Sequence, residues 1–159
     1  MAVIIAIDPG PIHSALVMFE GEHVFASFYS KNESIAEWLA AGVGNESDPV
    51  VAIEMIASYG MAVGAEVFET CVWIGRFMEI AGPHRVTRIK RGEVKMHLCN
   101  TTAAKDANVR QALIDRFGGK DAAIGRKKTP GPLYGISGDK WAALAVAVTV
   151  ADRIAQRGM

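Results

Sequence analysis

Three acidic residues stand where a charge is costly. Asp8 ends the apolar run VIIAID, Glu54 lies inside PVVAIEM, and Asp139 opens the apolar stretch GDKWAALAVAVTVADR. A carboxylate among such neighbours costs free energy to bury unless a cation or a hydrogen-bond donor compensates it. If the two strand-like runs lie side by side, Asp8 and Glu54 emerge near one edge of a sheet, and the last helix brings Asp139 against them. Such a cluster repels itself. Divalent cations resolve that repulsion, and hard oxygen ligands of this kind favour Mg²⁺, with Mn²⁺ as substitute, over zinc. Two such ions activate a water and stabilise a leaving oxygen in phosphodiester hydrolysis. Taken singly, each acid also suits an ordinary strand end or helix start in solvent.

The elements that would position these acids read as α/β, because apolar β-branched runs alternate with longer segments of helical periodicity. Strands are predicted at 2–8, 14–20 and 23–30, and the short links PGPIHS and EGEH between them suit an antiparallel meander. A helix follows near 33–41, opened by NES as a capping signal, and then a buried-looking strand at 49–55. Residues 61–81 carry apolar side chains at helical spacing up to AGP. The strand HRVTRI precedes two helical segments, GEVKMHLC and AKDANVRQALIDRF, the second ending in GG. Six glycines and two prolines between 118 and 138 predict a mobile loop. The closing helix has small residues along much of its length, which suits close packing on the sheet.

The 159 residues and half-apolar composition fit one compact domain spanning 1–159. No apolar stretch approaches a membrane span, and the first residues lack a basic leader with a cleavage site, which predicts a cytoplasmic protein. Cys71 and Cys99 have no metal-type spacing and suit core positions in a reducing compartment. The net charge of zero argues against a protein that coats nucleic acid nonspecifically, yet the charge is segregated. Residues 1–83 carry 11 acidic against 2 basic side chains, and residues 84–159 carry 6 against 15. The basic residues concentrate in 84–95, with Arg85, Arg88, Lys90 and Arg91, and in 125–131, with Arg126, Lys127 and Lys128. These clusters supply phosphate contacts if the fold gathers them on one face, and are otherwise a solvated surface.

Together these segments resemble the RuvC-type Holliday junction resolvases, in particular their bacteriophage branch. IDPGPIHSALV is similar to that family's opening strand and turn, VVAIEM to its second acidic strand, GEVKMHLCNTTAAKDANVRQALI to its lysine-bearing helical stretch, and GDKWAALAVAVTVADR to its closing acidic helix. The resemblance implies a ribonuclease H-like fold, a mixed five-stranded sheet flanked by helices. It implies a Mg²⁺-dependent endonuclease acting on four-way or otherwise branched DNA, with Asp8, Glu54 and Asp139 as metal-binding catalytic residues and no nucleotide cofactor. Lys105 and Lys95 match lysines that the family uses near the scissile phosphate. Tyr59 falls where the family carries an aromatic that stacks on unpaired bases at the junction. The family acts as dimers through the helix after the second acidic strand, here 61–81, whose Val67, Phe68, Val72, Trp73, Phe77 and Met78 give it more apolar surface than one sheet face needs.

One position departs from the family pattern. Its members carry a second acid three residues after the first on the last helix, one turn along the same face, and this chain has Ala142 there. Asp152 lies 13 residues beyond Asp139, roughly 20 Å along a continuous helix, too far to substitute. His13, Asp106 and Asp121 have no local feature that makes any of them a ligand. The loss of the fourth acid leaves a second reading open, a junction-binding protein that does not cut. A ribosomal RNA processing nuclease of the same fold also fits DPG, but its opening turn carries a basic residue where this chain has PIHS. A phosphotransferase of the actin and sugar-kinase type would need a second domain and phosphate loop, for which 159 residues leave no room.

Overall fold

A computed structural model describes residues 2–158 of the chain. Five strands form one sheet in the order β3-β2-β1-β4-β5. They are β1 (Ile4–Asp8), β2 (His13–Glu20), β3 (His23–Lys31), β4 (Val50–Met55) and β5 (Val86–Lys90). The first three make the antiparallel meander, whereas β1, β4 and β5 run parallel, so the sheet is mixed. The helices are α1 (Asn32–Asn45), α2 (Ala65–Ala81), α3 (Arg91–Cys99), α4 (Asp106–Arg116), α5 (Lys120–Ala123) and α6 (Lys140–Arg157).

Strand alternation divides the core into two layers. Along β1, Ile4 and Ala6 belong to the layer built with α6, while Ile5 and Ile7 belong to the layer built with α1 and α2. In β4, Ala52 joins the α6 layer, and Val51 and Ile53 join the other. Side chains two residues apart share a face of a strand, so Asp8 follows Ala6, and Glu54 follows Ala52, onto the α6 side. The small residues predicted to allow close approach, Ala143, Ala145 and Ala147, are all buried where α6 crosses β1 and β2.

Four expectations change in detail. The helix predicted over 61–81 begins at Ala65, because Gly60, Gly64 and the positive φ of Tyr59 keep 57–64 irregular. Asn32 does not cap α1: it is the first helical residue, and its side chain turns back to the β1–β2 turn instead. The glycine-rich segment 118–138 is built, not featureless, with α5, a small hairpin of β6 (Gly125–Arg126) and β7 (Thr129–Pro130), and fully buried Ala123 and Leu133. A 3₁₀ turn at Pro83–Arg85 takes the first two residues of the predicted strand HRVTRI. No helix among the described residues is long and apolar enough to cross a membrane.

Candidate active site

The turn after β1 is held by a buried polar network. The Gly10 N–H donates to Ser14 Oγ at 3.1 Å, the Ser14 hydroxyl donates to Asn32 Oδ1, and Asn32 Nδ2 donates to the Gly10 carbonyl at 2.9 Å. A Cβ on Gly10 would stand 2.3 Å from the His13 carbonyl oxygen, so only glycine fits this crossing. The network fixes the chain just beyond Asp8. Pairing of β1 with β4 places Ile7 opposite Ile53, and Asp8 and Glu54 are the next residues of each strand. Asp139 immediately precedes α6, near enough for its charge to act on Asp8.

Electrostatics show how close the three are. Burial, then a hydrogen bond with Glu54, then the charges of Glu54 and Asp139 push the Asp8 carboxyl up to about 9, against an opposing pull from Arg91. At neutral pH Asp8 therefore holds a proton that a cation in its place would make unnecessary. The donor set is three carboxylates, the chemistry that suits a hard divalent cation. Among the described residues no three or more His, Cys, Asp or Glu side chains are grouped closely enough to hold a metal ion as they stand. Glu54 is turned toward α3, where Arg91 Nε donates to its Oε1 at 3.0 Å and Arg91 Nη2 to its Oε2 at 3.5 Å. That hydrogen bond also raises the already high Arg91 pKa, so the guanidinium stays charged.

A cavity of about 90 Å³ opens beside the acids, lined by Glu54, Arg91, Lys95, Asp106, Arg110, Asp139 and Ala142 among others. Lys95 thus faces the site. Lys105 lies just outside this lining, exposed at the start of α4, where its N–H donates to Asn108 Oδ1. Tyr59 is 73% exposed, and its hydroxyl lies 3.3 Å from where a Cβ on Gly92 would be, which sets the ring beside the first turn of α3. Lys90 ends β5 at the same edge of the sheet, and Arg88 is exposed along that strand. Arg85 stands at the opposite end of β5, paired with Asp48 at 3.4 Å, so the 84–95 cluster does not gather on one spot. Arg126, Lys127 and Lys128 are exposed around the β6–β7 hairpin, in the segment that leads to Asp139.

Helix α3 is tied to the rest of this layer by charge. Asp152 accepts two bonds of 2.6 Å from Arg116 and sits 2.7 Å from His97, so α3, α4 and α6 meet at one carboxylate, while Glu93 pairs with Arg153 at 3.4 Å. Asp152 is thereby a structural residue, distant from the acids as its spacing predicts. Two residues of the site carry no sequence signal for their place there. Arg91 reads as one more basic residue, and its position depends on the β4–β5 register that sets Glu54 opposite Ile89. Asp106, 3.8 Å from Arg91, enters the cavity only because α4 folds over α3. A larger groove of about 800 Å³ lies at the other end of the sheet, and its polar lining of Glu20, Glu22, Glu46 and Asp152, with His23, is unsuited to phosphate.

This sheet order and its flanking helices are matched in solved structures. The chain has the RuvC-type fold. A Thermus thermophilus RuvC in complex with a Holliday junction substrate superposes with a TM-score of 0.67 at 19% identity, covering 95% of this chain and 93% of that one. A second Thermus thermophilus RuvC structure gives 0.61 at 20% identity, covering 96% of each chain. No family model and no curated protein matches the sequence. The sheet expected from the sequence, mixed, five-stranded and ribonuclease H-like, is the one observed.

Proposed function

We propose that this chain is a single-domain, structure-selective endonuclease that cuts four-way or otherwise branched DNA by divalent-metal-assisted hydrolysis. The observation that carries this reading is the placing of Asp8 and Glu54 one step beyond the Ile7–Ile53 pair, on the α6 face of the sheet, with Asp139 close enough for its charge to act on Asp8. The likeness to a RuvC structure that holds a Holliday junction supports the choice of substrate. Asp8, Glu54 and Asp139 would hold Mg²⁺, or Mn²⁺ in its place. When bound, the cation supplies the positive charge that lets these carboxylates ionise together and polarises water and phosphate. Lys95 neutralises charge developing on the phosphate from within the cavity, and Lys105 does so from its rim. Tyr59 offers an exposed ring for an unpaired base, and Arg88, Lys90 and Arg126 to Lys128 position the arms through phosphates, contacts that carry no base sequence.

Phe68 and Val72 are 62% and 54% exposed on α2, while Trp73 and Phe77 of the same helix fill the core. The helix is not fully buried, and its outer face suits a homodimer that presents two sites to the two halves of a junction. A second reading, junction binding without cleavage, is favoured by Ala142 in the cavity wall. Incubation with a labelled four-way junction and the matching linear duplex, in Mg²⁺, Mn²⁺ or EDTA, with Asp8→Asn alongside, decides between them. Symmetric, metal-dependent nicks in the junction alone, lost in the variant, support the nuclease. Binding without nicks supports the second reading, and no preference for the junction removes both.

A further inference from the structure

Arg91 is an unusual occupant of a site meant for a metal. Among the described residues it is the one cation in a salt bridge with any of the three acids, and it engages both oxygens of Glu54. The pair is asymmetric. The Glu54 side chain is 12% exposed and fixed at the end of an inner strand, whereas the Arg91 side chain is 49% exposed on the first residue of a helix. The guanidinium can swing into solvent by side-chain rotation, and the carboxylate cannot leave the sheet edge. Asp106, 3.8 Å away with its side chain 82% exposed, offers Arg91 a second anionic contact at the mouth of the cavity.

A guanidinium and a divalent cation compete for one carboxylate, both for its lone pairs and by mutual repulsion. Arginine is equally suited to a phosphate, which it grips with the same fork geometry. A DNA phosphate arriving at the mouth of the cavity therefore draws Arg91 off Glu54 and leaves the carboxylate free. We propose that Arg91 is a resident counter-cation that holds Glu54 in the DNA-free protein and passes to a phosphate when DNA binds, so that metal loading is coupled to substrate. This rests on the reading of the three acids as a metal site and makes Arg91 a positioning residue, not a catalytic one. It also separates Arg91 from Arg88, Lys90 and Arg126 to Lys128, which this reading assigns to phosphates. Linkage makes the coupling reciprocal: whatever factor DNA adds to metal affinity, metal adds to DNA affinity.

Two binding measurements on the full-length chain test the idea without activity. Mn²⁺ affinity of DNA-free protein, from calorimetry or from the free-ion electron spin resonance signal, is compared for the natural chain, Arg91→Gln and Arg91→Lys. Affinity for a four-way junction is measured in EDTA for the same three. Arg91→Gln is expected to bind Mn²⁺ roughly three- to tenfold more tightly, the size of a half-exposed charge-assisted pair, and the junction more weakly. Arg91→Lys, which keeps the charge without the fork, falls between, and carries the test if the glutamine variant does not fold. Unchanged or weaker Mn²⁺ binding in both variants overturns the proposal, as does junction affinity that ignores the substitution. Absence of Mn²⁺ binding in all three chains overturns it too, and in that case the metal-site reading falls with it.

Discussion

Asp8, the last residue of β1, and Glu54, the last but one of the adjacent parallel β4, stand on the same face of the sheet, one step beyond the Ile7–Ile53 pair. Two carboxylates so placed store a cost that the folded protein meets by keeping Asp8 protonated. Asp8→Asn, which preserves shape and can donate to Glu54, removes that cost. The variant is expected to melt higher than the natural chain at pH 7.5 in EDTA by about 1–2 kcal/mol, roughly 3–6 °C for a chain of this size, and to lose cleavage. A lower melting temperature would mean that the pair does not repel.

The same pair sets a pH dependence. Asp8 moves from the ordinary 3.8 to about 9 on folding, so between these values the folded chain binds a proton that the unfolded chain does not. Its contribution to stability is complete below about pH 4 and declines as pH rises toward 9. Thermal melts in EDTA from pH 5 to 9 should show the natural chain losing stability relative to Asp8→Asn, and saturating Mg²⁺ should narrow the gap by replacing the proton. A constant difference across that range would place the Asp8 shift elsewhere.

The clamp at Asp152 behaves in the opposite sense. Burial pushes its carboxyl up, but the hydrogen bonds and charges of Arg116 and His97 outweigh that and hold it below the usual value. Its contribution is therefore present above about pH 4 and is lost as pH falls through the lower folded value. Asp152→Asn is expected to cost about 1–2 kcal/mol in urea unfolding at pH 7, with the difference from the natural chain shrinking in acid. Because the clamp sets α3 against α6, and so Arg91 and Lys95 against Asp139, cleavage should weaken with it although Asp152 is outside the site.

Much of this arrangement is legible from sequence because it follows from strand periodicity. A charge at the end of an apolar run marks a strand edge, but Ile4 and Ala6 are as apolar as Ile5 and Ile7, so the face that Asp8 takes comes from the packing of α6. What periodicity does not carry is contact between segments far apart in the chain. Arg91 meets Glu54, and Asp106 enters the cavity, only through the β4–β5 register and the α3–α4 packing. The 118–138 segment reads as loop because its glycines break every period, yet Leu133 and Ile136 anchor it in the α6 layer. Asn32 reads as a cap, since its type suits one, until a longer-range partner at Gly10 claims its amide.

The outer face of α2 gives a prediction about assembly. Phe68 and Val72 lie four residues apart and so on one side of the helix, away from buried Trp73 and Phe77. Phe68→Glu is expected to convert a dimer to a monomer in sedimentation while changing the melting temperature of dilute protein little, since an exposed ring contributes little to the monomer core. The junction should then be nicked on one strand at a time. A natural chain that sediments as a monomer at micromolar concentration would remove the dimer reading.

Ala142 occupies the wall of the cavity that Glu54 and Asp139 also line, one helical turn past Asp139. An acid there adds a fourth carboxylate to a cluster in which Asp8 already keeps its proton. In EDTA, Ala142→Asp should therefore destabilise the chain by about 1 kcal/mol through like-charge repulsion. With Mn²⁺ present the sign reverses, because ligand charge count raises cation affinity, and a tenfold or greater tightening is expected. Junction cleavage at low Mg²⁺ should rise in parallel if three carboxylates limit metal loading in the natural chain. Tighter Mn²⁺ binding without faster cleavage would show that metal loading is not what limits it, and would turn attention to Arg91, Lys95 and Lys105.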